Sequence, residues 1–102
     1  MHKVMALYKT PPDPEKFRKH YEEVHIPLIR KVPGVIRLNY SFDVRDMSGE
    51  PAYFCVFECY YKDAEAMIAG MQTPEGQAVI ADLANYAVGE HEIISFPVPD
   101  DA

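Results

Sequence analysis

The period of the apolar residues switches twice from strand-like to helix-like and back, and only a few small folds accommodate that order. Val4 to Tyr8 is a short apolar run stopped by Thr10-Pro11-Pro12, as expected of a buried strand and a turn. Asp13-Pro14-Glu15 carries the signals of a helix start, and Pro33-Gly34 closes that segment. From Val35 to Val44 the period becomes two, with Ile36, Leu38, Tyr40 and Phe42 alternating with Arg37, Asn39, Ser41 and Asp43. Turn residues from Asp46 to Pro51 lead into Ala52–Tyr61, apolar or aromatic on both faces apart from Glu58, which suits a central strand. Asp63 and Thr73-Pro74-Glu75 start two further helical pieces, the second carrying the stripe Val79, Ile80, Leu83 and Tyr86 before Gly89. Ile93, Ile94 and Phe96, ended by Pro97 and Pro99, read as an edge strand or a segment crossing to a partner chain.

The order strand, helix, strand, strand, helix, strand predicts an α+β fold: a ferredoxin-like βαββαβ unit with a four-stranded antiparallel sheet and its helices on one face. At 102 residues it is a single domain, 1–102, with little core to spare. The other face of the sheet would then show a contiguous apolar patch, and a second copy would cover it, giving a homodimer in which two sheets close into an α+β barrel.

Charge narrows the partners. A formal net charge of −6, with ten Lys and Arg residues scattered along the chain, gives no concentrated positive face for nucleic acid or an anionic membrane. No apolar run is long enough to span a bilayer, and Met1-His2-Lys3-Val4 lacks the apolar stretch of a signal peptide, so a cytoplasmic location is expected. Cys55 and Cys59 lie about 13 Å apart along one strand, too far for a disulfide between them, and read as reduced core thiols.

Candidate chemistry concentrates between Phe17 and Leu28, where F-x-x-H-Y-x-x-x-H-x-P-L puts two histidines on one helix. At 3.6 residues per turn, Phe17, Tyr21, Val24 and Leu28 form the buried stripe, with His25 and His20 at its two borders. Pro27 removes the amide that would bond the Glu23 carbonyl, so a kink or an end is expected near His25. His25 is the candidate general acid or base, an imidazole at the edge of an aromatic pocket. Its bland alternative is a border histidine bonded to a backbone carbonyl. His20 falls about 140° away around a regular helix, too far round to share a metal ion with His25, and no metal-site spacing occurs elsewhere. Arg37, Asn39 and Ser41 share one face of their strand, where they would bind a carboxylate or carbonyl oxygen or, as such faces ordinarily do, meet water.

These residues resemble a known family. Phe17-Arg18-Lys19-His20-Tyr21, Val24-His25-Ile26-Pro27-Leu28 and Pro33-Gly34 are similar to the pattern of the EthD family, named for ethyl tert-butyl ether degradation, as are Leu7-Tyr8-Lys9 and Thr73-Pro74-Glu75-Gly76. The resemblance implies a ferredoxin-like protomer and a homodimeric α+β barrel. The family pattern supplies a scaffold and a candidate histidine and names no substrate. Relatives of this architecture include cofactor-independent monooxygenases, isomerases, cyclases and dehydratases, so the expected function is an isomerase, lyase, cyclase or monooxygenase-like reaction, without a cofactor, on a small hydrophobic carbonyl, aromatic or lactone compound. On that reading His25 is catalytic, and Tyr8, Tyr21, Leu28, Arg37 and Asn39 contact the substrate. The alternative is a non-catalytic dimer that binds a hydrophobic small molecule or accompanies a degradative oxygenase. No glycine-rich phosphate loop or dinucleotide fingerprint is present, so a nucleotide cofactor is not expected; haem stays open, since one exposed histidine would suffice.

Overall fold

The structure, a computed structural model, describes residues 1–100. The strands are β1 (His2–Tyr8), β2 (Arg37–Arg45), β3 (Pro51–Tyr61) and β4 (His91–Pro97), and the helices are α1 (Pro14–His20), α2 (Ile26–Arg30), α3 (Ala64–Gln72) and α4 (Pro74–Tyr86). Every strand pair is antiparallel, in the order β2-β3-β1-β4, so the segment before the terminal prolines is an edge strand and β3 and β1 are central. This is the ferredoxin-like α+β fold.

Local chemistry explains the helix boundaries. The Asp13 carboxylate accepts the Lys16 amide at 3.1 Å with Pro14 at the first helical position, and Asp63 accepts the Ala66 amide at 2.8 Å. Thr73 ends α3 and caps α4, its hydroxyl accepting the Gly76 amide at 3.1 Å. The two helices approach so closely there that a methyl group on Gly76 would overlap the Gly70 carbonyl.

Near His25, where a kink or an end is expected, the first helical segment widens instead. Between α1 and α2, Tyr21–His25 form a π turn in which the Ile26 amide bonds the Tyr21 carbonyl, five residues back. The extra residue delays the helical phase by one position. Beyond Tyr21 the buried stripe therefore continues through His25, Ile26 and Ile29, while Val24 is 40% exposed and Leu28 only half-buried. The chain does not break at His25 either. The widened turn eases the clash between the Pro27 ring and the preceding turn, and the helix runs on to Arg30.

The core lies between these helices and one face of the sheet. Ala6, Tyr8, Cys55, Phe57, Cys59 and Tyr61 meet Phe17, Tyr21, Ile26, Ile29 and Tyr86. The opposite face is striped across the strands by register: Arg37, Tyr60, Lys3; then Asn39, Glu58, Met5, Ile94; then Ser41, Val56, Leu7. The expected uniform apolar patch is thus interrupted by charge. Lys3 pairs with Glu58 at 2.6 Å, and both Lys3 and Arg37 lie over the Tyr60 ring.

Candidate functional site

The π turn decides what the two histidines do. A turn closed by a bond spanning five residues brings residues five apart to the same side, so His20 and His25 both reach α4 instead of diverging by 140°. They meet on one carboxylate. His20 Nε2 lies 2.9 Å from Asp82 Oδ1 and 3.0 Å from Oδ2, and His25 Nδ1 lies 2.9 Å from Oδ2. Asn85 Nδ2 donates to Oδ1 at 2.9 Å. Asp82 and His25 are buried, with 6% and 3% of their side chains exposed, whereas His20 keeps 26%.

Electrostatics assign the charges. Burial pushes the Asp82 carboxyl up, but the hydrogen bonds from Asn85, His25 and His20 outweigh it and hold it below its ordinary value. Burial pushes the His25 imidazole down, and Asp82 only partly offsets that, so His25 is neutral at neutral pH. An ionised Asp82 has no proton to give, so His25 Nδ1–H donates to it, and the lone pair resides on Nε2. Nε2 has no hydrogen-bond partner among the described residues.

His25 lines a cavity of about 240 Å³ between the helices and the sheet. Tyr8 and Tyr21 join it there, with Phe57, Met71 and Leu83 among its apolar walls. Tyr86 fixes the surroundings: its ring lies 4.5 Å from that of His25 and stacks on His20 at 5.6 Å, and its hydroxyl bonds the Tyr8 hydroxyl at 2.8 Å. The Tyr21 hydroxyl is buried and has no hydrogen-bond partner among the described residues. Cys59 lines the cavity too, but burial pushes its thiol up to about 12, as it does that of Cys55, which removes the thiolate a nucleophile needs.

The other expected contacts fall elsewhere. Leu28 is displaced by the π turn, and Ile29 takes its place in the cavity wall. Arg37 and Asn39 stand on the helix-free face of β2, opposite the cavity within one chain. Among the described residues no group of three or more His, Cys, Asp or Glu side chains is arranged to hold a metal ion, and no helix is long and apolar enough to cross a membrane.

The residue that composition and spacing passed over is Asp82. It had a legible signal: Val79, Asp82, Leu83 and Tyr86 follow the spacing of one buried helix face, and a carboxylate on that face needs a partner. The π turn had no such signal.

Residues 9–90 match the model of the EthD domain. The chain belongs to the EthD family. It is 30% identical over 89 residues to an uncharacterized 11.0 kDa protein in the thcB-thcC intergenic region of Rhodococcus erythropolis, covering 87% of this chain and 86% of that one. A crystal structure of an EthD family protein from Bacillus halodurans is 32% identical, with a TM-score of 0.88 over 97% of this chain and 99% of the other. At 15% identity and a TM-score of 0.66, over 95% and 91% of the two chains, SnoaB, a cofactor-independent oxygenase from Streptomyces nogalater, shares the fold alone.

Proposed function

We propose that this EthD protein transfers a proton to or from a small hydrophobic carbonyl, phenolic or lactone compound, with His25 Nε2 as the base and Asp82 as its orienting partner. One observation carries the reading: a neutral imidazole whose Nδ1–H is held by a buried carboxylate at 2.9 Å, on the wall of an apolar cavity. Asp82 fixes the tautomer that leaves Nε2 basic and stabilises the imidazolium formed when Nε2 takes a proton. Tyr8, Tyr21 and Ile29 shape the cavity, and its mostly apolar walls strengthen the pull of Asp82 on the charged ring. The chemistry needs no cofactor for its proton step, in keeping with the name of the oxygenase that shares the fold.

The working unit in this reading is a homodimer joined through the helix-free faces of the sheets, where Met5, Leu7, Val56 and Ile94 supply apolar area and Arg37, Asn39 and Glu58 supply register. A second reading, a non-catalytic binding protein, is favoured by the scarcity of polar groups in the cavity: beside His25, Ser95 and the tyrosines, its walls are apolar or sulfur-bearing.

Titration with aromatic, lactone and 1,3-dicarbonyl compounds, followed at the His25 imidazole resonances, tests the proton-transfer reading. Ligands that shift the Nε2 signal support it. Ligands that shift the cavity methyl groups but leave the imidazole unmoved would establish the binding-protein reading instead.

A further inference from the structure

The proton-transfer reading uses His25 and Asp82 but leaves His20 unexplained, although His20 is the histidine with the more demanding geometry. Its Nε2 sits in the fork of the Asp82 carboxylate, within 3.0 Å of both oxygens. Its ring is held flat against Tyr86 at an interplanar angle of 23°. It lines a separate groove of about 390 Å³ with Lys16, Lys19 and Glu23, whose walls do not include His25. A histidine that only filled space would need none of this, and one that acted on the cavity ligand would have to line that cavity, which it does not.

We infer that His20 is a positioning residue for His25: by donating into the fork of Asp82 it aims Oδ2 at His25 Nδ1 and sets how strongly that carboxylate holds a proton on His25. The physical basis is competition. A carboxylate has a limited capacity to attract protons, and each N–H it accepts lowers its pull on the others. Asp82 accepts from His20, Asn85 and His25 together. With His20 in place, Oδ2 is fixed in line with His25 but is a weaker acceptor than a carboxylate serving His25 alone. That combination suits a base that must take a proton and then release it, because a stronger pull would trap the imidazolium.

The inference rests on the proton-transfer reading for its purpose, but its test reads the imidazole without a ligand, so either can fail alone. The substitutions leave the other titratable groups around His25 in place: Asp82 and Tyr86 from α4, Tyr21 from the π turn, Tyr8 from β1, Cys59 and Tyr61 from β3.

The experiment compares His20→Gln with His20→Phe. Both remove the imidazole, but glutamine keeps an N–H donor where Nε2 stood and phenylalanine does not. The His25 titration midpoint, followed by NMR of the folded protein, should lie higher in His20→Phe than in His20→Gln by about 0.5 pH unit or more, a pKa difference well within the range that local hydrogen bonding produces. The Gln variant should also keep the Nδ1–H tautomer. Equal midpoints in the two variants would overturn the inference. Should His20→Phe fail to fold, His20→Asn replaces it: its amide is too short to reach the fork, so its midpoint should likewise exceed that of His20→Gln, and equality would again be fatal.

Discussion

His25 on the π turn and Asp82 in the middle of α4, 57 residues apart in sequence, are joined by a 2.9 Å hydrogen bond that is buried from solvent. The bond ties the first helical segment to the last, and it fixes which nitrogen of His25 carries a proton. In the proposed reading, stability and proton transfer therefore depend on the same pair.

The first consequence is energetic. Removing Asp82 leaves a buried N–H on His25 without an acceptor, so Asp82→Ala should destabilise the fold by about 1–3 kcal/mol. In a double-mutant cycle with His25→Ala the two effects should be non-additive by about 0.5–3 kcal/mol. Urea unfolding of the four proteins measures both quantities, and additive losses would mean that the bond contributes nothing.

The π turn gives a second, contrasting pair. Val24→Lys should change stability by less than about 0.5 kcal/mol, because Val24 faces outward. Ile29→Ala should cost about 2–5 kcal/mol, as a buried aliphatic truncation does. A regular helix would bury Val24 and make its substitution costly, so the same unfolding experiment reports on the helical phase.

Stability should also depend on pH through His25. Its folded-state pKa lies below the ordinary value of 6.5, because burial disfavours the charged ring. As the pH falls through about 6.5 the unfolded chain takes up a proton that the folded chain refuses, so stability is lost on acidification in that window and is fully present above it. His25→Asn, which keeps a donor toward Asp82, should flatten this part of the profile. Unfolding free energies measured between pH 5 and 8 check the sign, and a rise in stability on acidification that depends on His25 would contradict it.

Association is the next expectation. Pairing through the helix-free faces should give a dimer burying on the order of 1,500 Å² or more in total. Sedimentation equilibrium at micromolar concentration should return twice the 11.6 kDa chain mass, and Glu58→Lys, which reverses the partner of Lys3 on that face, should weaken it. A monomer, or a dimer indifferent to Glu58, would rule out the stated interface.

Most of the fold was legible because it follows from local rules. The period switches marked the strands and helices, Asp13, Asp63 and Thr73 marked the helix starts, and the terminal prolines marked β4 as an edge. The site was legible only in part. His25 stands out in the sequence as a candidate, but its placement depends on one extra residue between Tyr21 and Ile26, which a 3.6-residue template cannot represent. A regular 3.6-residue period turns Val24 and Leu28 inward and separates His20 from His25, whereas the π turn does neither. Asp82 was overlooked because its partner lies on another helix, and helical spacing within one segment says nothing about what the facing segment presents. Arg37 and Asn39 share their polar face with the water-facing residues of any half-buried strand, so pattern alone could not say which side of the sheet holds the cavity.

The central claim, that His25 moves a proton on a bound ligand, is tested most directly by hydrogen–deuterium exchange on the ligand itself. A panel of small apolar compounds with one activated C–H, such as lactones and 1,3-dicarbonyls, is incubated with the protein in D₂O and followed by proton NMR. The expected result is accelerated loss of that C–H signal for at least one compound, reduced about 10²–10⁴-fold by His25→Ala, the usual contribution of a general base. Exchange that proceeds equally fast with His25→Ala, or a compound bound beside His25 whose activated C–H exchanges no faster than in buffer, would contradict it.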